Sequence, residues 1–97
     1  MASRHRLKKE IDYIVSDLVY DCFTFINMRQ QENNEDVLQI VQETLTMRND
    51  LRVKTNHPEN KAEGQSTKNY YDEIAKELVS SVEGSYEKLS QMVNPKA

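Results

Sequence analysis

Apolar residues recur along this chain at helical spacing in three blocks, separated by two stretches with almost none. At 3.6 residues per turn, Leu7, Ile11, Ile14, Val15, Leu18, Cys22, Phe25 and Ile26 share one face, with Val19 on its edge. This predicts a helix over about 5–29. The string Arg29-Gln30-Gln31-Glu32-Asn33-Asn34 has no apolar member and closes it. Asn33 or Asn34 is placed to cap the next helix, with Glu35 and Asp36 in the first turn, where the macrodipole favours carboxylates. A second helix over about 35–54 carries Val37, Leu38, Ile40, Val41, Leu45, Met47 and Leu51 on a broader face, with Arg48 near its middle.

The stretch 55–65, punctuated by Pro58 and Gly64, holds no apolar side chain larger than Ala and is expected to be a loop. Ser66 or Thr67 then opens a third helix, about 67–93. Tyr71, Ile74, Leu78, Val82, Ser85, Leu89 and Met92 follow one another at three, four, four, three, four and three residues, the spacing of a buried seam. Asn94-Pro95 ends it, because the residue before proline is pushed out of helical geometry.

Each helix has one apolar face, and none would be stable alone in water. The short first joint favours an antiparallel hairpin, and the longer second joint returns helix three beside both. The expected architecture is therefore all-α, one antiparallel up-down-up three-helix bundle spanning 1–97, with dimerisation as a further way to complete its core. Two Gly, two Pro and no Trp in 97 residues agree with long uninterrupted helices.

Charge adds one local feature. A formal charge of −3 gives no global attraction to nucleic acid or to an anionic membrane. At the N-terminus, however, Arg4, His5, Arg6, Lys8 and Lys9 cluster, which reads as a solubilising helix start or, as the alternative, a phosphate-binding arm. No apolar run approaches the length of a membrane span, and Glu10, Asp12 and Asp17 interrupt any signal-peptide pattern. The expected address is the cytoplasm.

Candidate chemistry is sparse. One cysteine, Cys22, leaves no internal disulfide, and its place on the apolar face suits a buried thiol better than a nucleophile. His5 and His57 lie at a helix start and in a loop, with no acidic residue three positions before either, so the carboxylate–histidine pattern of a bundle metal site is missing. The pairs Asp17/Asp21, Glu73/Glu77 and Glu83/Glu87 lie off the apolar stripes and read as solvated charge. No glycine-rich loop cradles a phosphate. The expectation is a non-enzymatic protein with no cofactor, no metal and no small-molecule ligand; a pocket formed only between subunits is a weaker option.

Two features depart from a plain bundle. Tyr13, Asp17, Tyr20, Thr24 and Asn27 form a second stripe on helix one, opposite the apolar face. Tyrosines on a nominally wet face either lie flat over aliphatic stems or mark a surface for a protein partner or a second copy. Arg48, on an apolar face, must either reach the rim or pair with a carboxylate. An antiparallel hairpin brings it level with Asp12 of helix one, and the second joint brings it near Glu77 of helix three, the slightly preferred partner. The functional expectation is an interaction or self-association module; the alternative is a nucleic-acid-associated accessory protein using the basic N-terminal segment.

Overall fold

A computed structural model describes residues 3–29 and 34–93. It contains three α-helices: α1 (Arg4–Met28), α2 (Glu35–Asn56) and α3 (Thr67–Val93), with one turn of 3-10 helix at Pro58–Asn60 between the last two. Among the described residues there is no strand, and all three helices pack against one another as an up-down-up bundle of 52 × 24 × 20 Å. No helix among them is long and apolar enough to cross a membrane. The polar joint 30–33 and the Asn94-Pro95 stop signal lie outside the described residues.

Cross-helix pairs give the directions. Asp12 of α1 meets Arg48 and Arg52 of α2, while Arg29, just past α1, meets Asp36 at the start of α2, so the first two helices are antiparallel. Lys54 pairs with Glu77 and Glu43 with Lys88, so that moving back along α2 moves forward along α3 by the same count. Both α1 and α3 are thus antiparallel to α2 and parallel to each other, and Tyr86 reaches Asp21 between them.

The core follows the α1 and α3 stripes closely. Leu7, Ile11, Val15, Leu18, Cys22 and Phe25 are buried from α1, and Tyr71, Ile74, Leu78, Val82 and Leu89 from α3. Ile14 and Ile26, read from sequence as full members of the α1 stripe, are only partly buried at its edges, as are Met47 and Met92.

Helix α2 departs from its sequence reading. Its buried seam runs Val37, Val41, Thr44, Leu51 and Thr55, with Ile40 beside it, while Leu38 and Leu45 are exposed. Both threonines donate their hydroxyls to the carbonyl four residues back, Thr44 to Ile40 and Thr55 to Leu51, each at 2.7 Å. With the hydroxyl satisfied inside the helix, only the methyl is left for the core, and threonine serves as a small apolar residue. Leu38 and Leu45 lie to one side of this seam, two turns apart, where no third helix covers them.

The N-termini of α1 and α3 carry serine caps, whereas that of α2 is built differently. Ser3 Oγ accepts the Arg6 amide at 3.2 Å and Ser66 Oγ the Asn69 amide at 3.0 Å. Asn34 stands at the N-cap of α2, but its side chain makes no capping bond; the Asp36 carboxylate accepts the Val37 amide at 2.8 Å instead.

The joint 55–65 is more ordered than its composition suggests. Thr55 and Asn56 belong to α2, the chain continues through Pro58–Asn60, and the reversal comes at 62–65, where Gly64 has φ of 81°. Tyr70 is buried beside it and donates its hydroxyl to the carbonyl oxygens of Lys54 at 2.8 Å and His57 at 3.2 Å.

Candidate interaction face

The outer side of α1 is built by the same periodicity that builds its buried side. The seven-residue spacing that turns Ile11 and Leu18 inward leaves Lys9, Tyr13, Ser16, Tyr20, Phe23 and Asn27 outward, separated by four, three, four, three and four residues. Tyr13 and Tyr20 are each 72% exposed and Phe23 is 47% exposed. Neither the joint 55–65 nor α3 folds over them; that joint is tied to the α2 terminus through Tyr70.

Asp17 and Thr24 flank this row and are exposed. The Thr24 hydroxyl donates to its own helix, to the Tyr20 carbonyl at 3.0 Å. Lys9, Asp12, Tyr13, Ser16 and Asp17 bound a shallow open depression on this side. Ser16 leaves the gap between the two tyrosines because its side chain is short. Phe23 escapes a reading by hydropathy, since it neighbours the buried Cys22 and lies near Phe25 in sequence; the four-three spacing from Tyr13 and Tyr20 is the signal that places it on the face.

Arg48 does not pair with Glu77, the preferred expectation. Its Nε donates to Asp12 Oδ1 at 3.0 Å, and Arg52 donates to the other oxygen, Oδ2, at 2.6 Å, so Asp12 carries two arginines. Arg48 Nη1 also reaches Asn49 Oδ1 at 3.2 Å. Glu77 is taken by Lys54 at 3.1 Å. The correction has a structural cause. Helix α2 and the 3-10 turn run on before the chain reverses, so the hairpin axis lies near residue 65 and Arg48 stands level with a part of α3 well beyond Glu77. Asp12 bridges α1 to α2 from the rim, with all three side chains about one-third to just under one-half exposed.

The remaining reactive groups are dispersed. Cys22 is fully buried, and burial, with a smaller contribution from the neighbouring Asp21 charge, pushes its thiol pKa up, away from the nucleophilic thiolate. His57 Nδ1 lies 2.8 Å from Glu59 Oε2, a contact that lowers the Glu59 pKa. Tyr86 donates to Asp21 Oδ2 at 2.9 Å; burial first, then that hydrogen bond and the Asp21 charge, push its phenol up to about 12. Among the described residues no three His, Cys, Asp or Glu side chains gather around a common point. A groove between α2 and α3 is lined by Thr44, Met47, Ser80, Ser81, Gly84 and Ser85, and Glu43 and Lys88 approach to 3.6 Å at its edge.

The basic cluster does not form a stripe. At 100° per residue, Arg4, His5, Arg6, Lys8 and Lys9 spread over about 200° of the first turns of α1, with Arg6 and Lys9 nearest to the side of Tyr13 and Tyr20. These cations also occupy the positive end of the helix macrodipole, where no acidic residue stands in the first turn.

No protein family, curated protein or solved structure matches this chain.

Proposed function

We propose that this protein is a non-enzymatic interaction module that presents the outer face of α1 to another protein surface. The observation that carries the reading is the row Tyr13, Ser16, Tyr20 and Phe23, three aromatic rings in helical register with two of them 72% exposed. Tyrosine brings large contact area and a polar tip at low entropy cost, and such residues dominate the energetics of interface centres. The row is rimmed by Lys9, Asp12, Asp17 and Thr24, an apolar centre with a polar border. The nucleic-acid reading draws less support, because a basic segment spread over about 200° of the helix circumference puts few cations on any one phosphate track and the whole chain carries −3.

A photo-crosslinking amino acid in place of Tyr20, installed in the full chain in its native cell, tests this directly. Discrete protein adducts at that site, weaker or absent when the same group replaces exposed Lys76 on α3, are the expected result. Equal labelling at both sites would remove the case for a dedicated face.

A further inference from the structure

The occupant of this face follows from how charge is laid out along it. We infer that the outer face of α1 pairs with the same face of a second copy, antiparallel, with the two-fold axis passing between Tyr13 and Ser16; this rests on the reading of α1 as an interaction face.

Three observations converge. The exposed row Lys9, Tyr13, Ser16, Tyr20, Phe23, Asn27 has the four-three repeat of a two-helix seam, a second such seam on a helix whose first is already buried in the bundle. Its ends differ in chemistry. The N-terminal end carries Arg6 and Lys9, while the C-terminal half carries Tyr20 and Phe23 flanked by Asp17. A parallel pair would stack Arg6, Lys9 and Asp17 each against its own copy, like charge on like. An antiparallel pair sets the cations of one copy along the aromatic and acidic half of the other.

The third observation fixes the register. Seams pack best where a large side chain meets a small one, and the centre of the row offers Tyr13 beside Ser16. Setting Tyr13 of each copy against Ser16 of the other lays each phenol over the depression bounded by Lys9, Asp12, Tyr13, Ser16 and Asp17, and it leaves Asp17 level with the other copy's Asp12, whose charge Arg48 and Arg52 already offset. The same register brings Lys9 level with Tyr20 of the other copy, within a turn of its Asp17, and Arg6 level with its Phe23, so that the ammonium meets an aromatic face and a carboxylate and the guanidinium meets an aromatic face. It also relieves the cations held at the unfavourable end of the α1 dipole.

Sedimentation equilibrium of the full chain across micromolar to millimolar concentration should show a monomer–dimer equilibrium. Tyr20→Glu should abolish the dimer with helicity unchanged, since the ring stands mostly in solvent in the single chain. Lys9→Glu and Asp17→Lys should each weaken it about tenfold or more, and the double charge swap should recover most of the loss. Orientation is read separately. Spin labels on Thr24→Cys, in a Cys22→Ala background checked for native helicity and wild-type dimer affinity, should lie about 30 Å apart in the antiparallel register at 1.5 Å rise per residue. A parallel pair would hold them within about 20 Å. A short distance, failure of the charge swap, or a monomer throughout would overturn the self-pairing. If the chain is monomeric while Tyr20 still crosslinks to a different protein, only the occupant is wrong; if neither occurs, the face itself has been misread.

Discussion

At the scale of single residues, the polar contacts are few and each has a distinct consequence. Asp12 accepts from both Arg48 and Arg52, so the three positions are not equivalent. Arg48→Met keeps the stem that covers the seam and leaves Asp12 with Arg52, and should cost less than about 0.5 kcal/mol. Asp12→Ala strands two guanidinium groups at the α1–α2 rim and should cost about 1–2 kcal/mol, less at high salt. Denaturant melts of the two variants compare them; an equal or larger loss for Arg48→Met would show that Arg52 does not share the carboxylate. Tyr86 gives a pH signature. Its pKa is raised in the folded state to about 12, so its neutral form is favoured by folding. The stabilisation is complete below the ordinary tyrosine value and is lost as pH rises through about 10 to 12. Stability measured over that range should fall, and Tyr86→Phe should flatten the fall; an unchanged slope would mean that the Tyr86–Asp21 bond does not persist in solution.

At the scale of elements, the α2–α3 hairpin is closed by a buried tyrosine as well as by its turn residues. Tyr70 ties the carbonyls at the end of α2 to the start of α3. Tyr70→Phe keeps the buried ring and removes both bonds, which should cost about 1 kcal/mol and speed tryptic cleavage at Lys54 and Lys61. Unchanged cleavage would show that the joint is held by α2 and the 3-10 turn alone. Within α3, Gly84 has no neighbour within 4 Å of where a Cβ would stand. Its presence in a helix interior is therefore a local weakness, and Gly84→Ala should raise stability by up to about 1 kcal/mol in thermal or denaturant melts. A loss instead would mean that something packs closely on that groove in solution. Gly64 is the contrary case, since its φ of 81° is one that side chains resist.

For the whole molecule, stability resides in a narrow seam running the length of an elongated bundle. Leu78 lies mid-seam on α3, 2% exposed, and Leu78→Ala should cost about 2–5 kcal/mol in a cooperative melt. A loss below about 0.5 kcal/mol would place the core elsewhere. A bundle of only three helices leaves each with an outer side. On α1 that side is aromatic, whereas on α3 Lys76, Glu83 and Glu87 are outward and hydrophilic, with Val79 the apolar exception. The asymmetry between these outer sides, more than any cleft, is what distinguishes this molecule from a generic bundle.

Helix number, fold class and the seams of α1 and α3 were legible in the chain because each rests on a local rule, apolar spacing at the helical period with polar joints between. The position of Tyr13 and Tyr20 opposite that stripe was legible for the same reason, but not that they stand uncovered with Phe23 beside them. Three further things depended on tertiary structure. The α2 seam includes Thr44 and Thr55 and omits Leu38 and Leu45, because burial there is decided by which side the neighbouring helices cover and not by side-chain hydropathy. The partner of Arg48 is Asp12, because α2 and the 3-10 turn carry the chain further before it reverses, and a shift of a few residues in a hairpin axis moves every cross-helix pair by a full turn or more. The joint 55–65 is ordered, because a tyrosine that sequence shows only as the neighbour of a seam residue reaches back to carbonyls sixteen and thirteen positions away. Periodicity along one helix is a property of that helix; register between helices is a property of the loops and of the packing they permit.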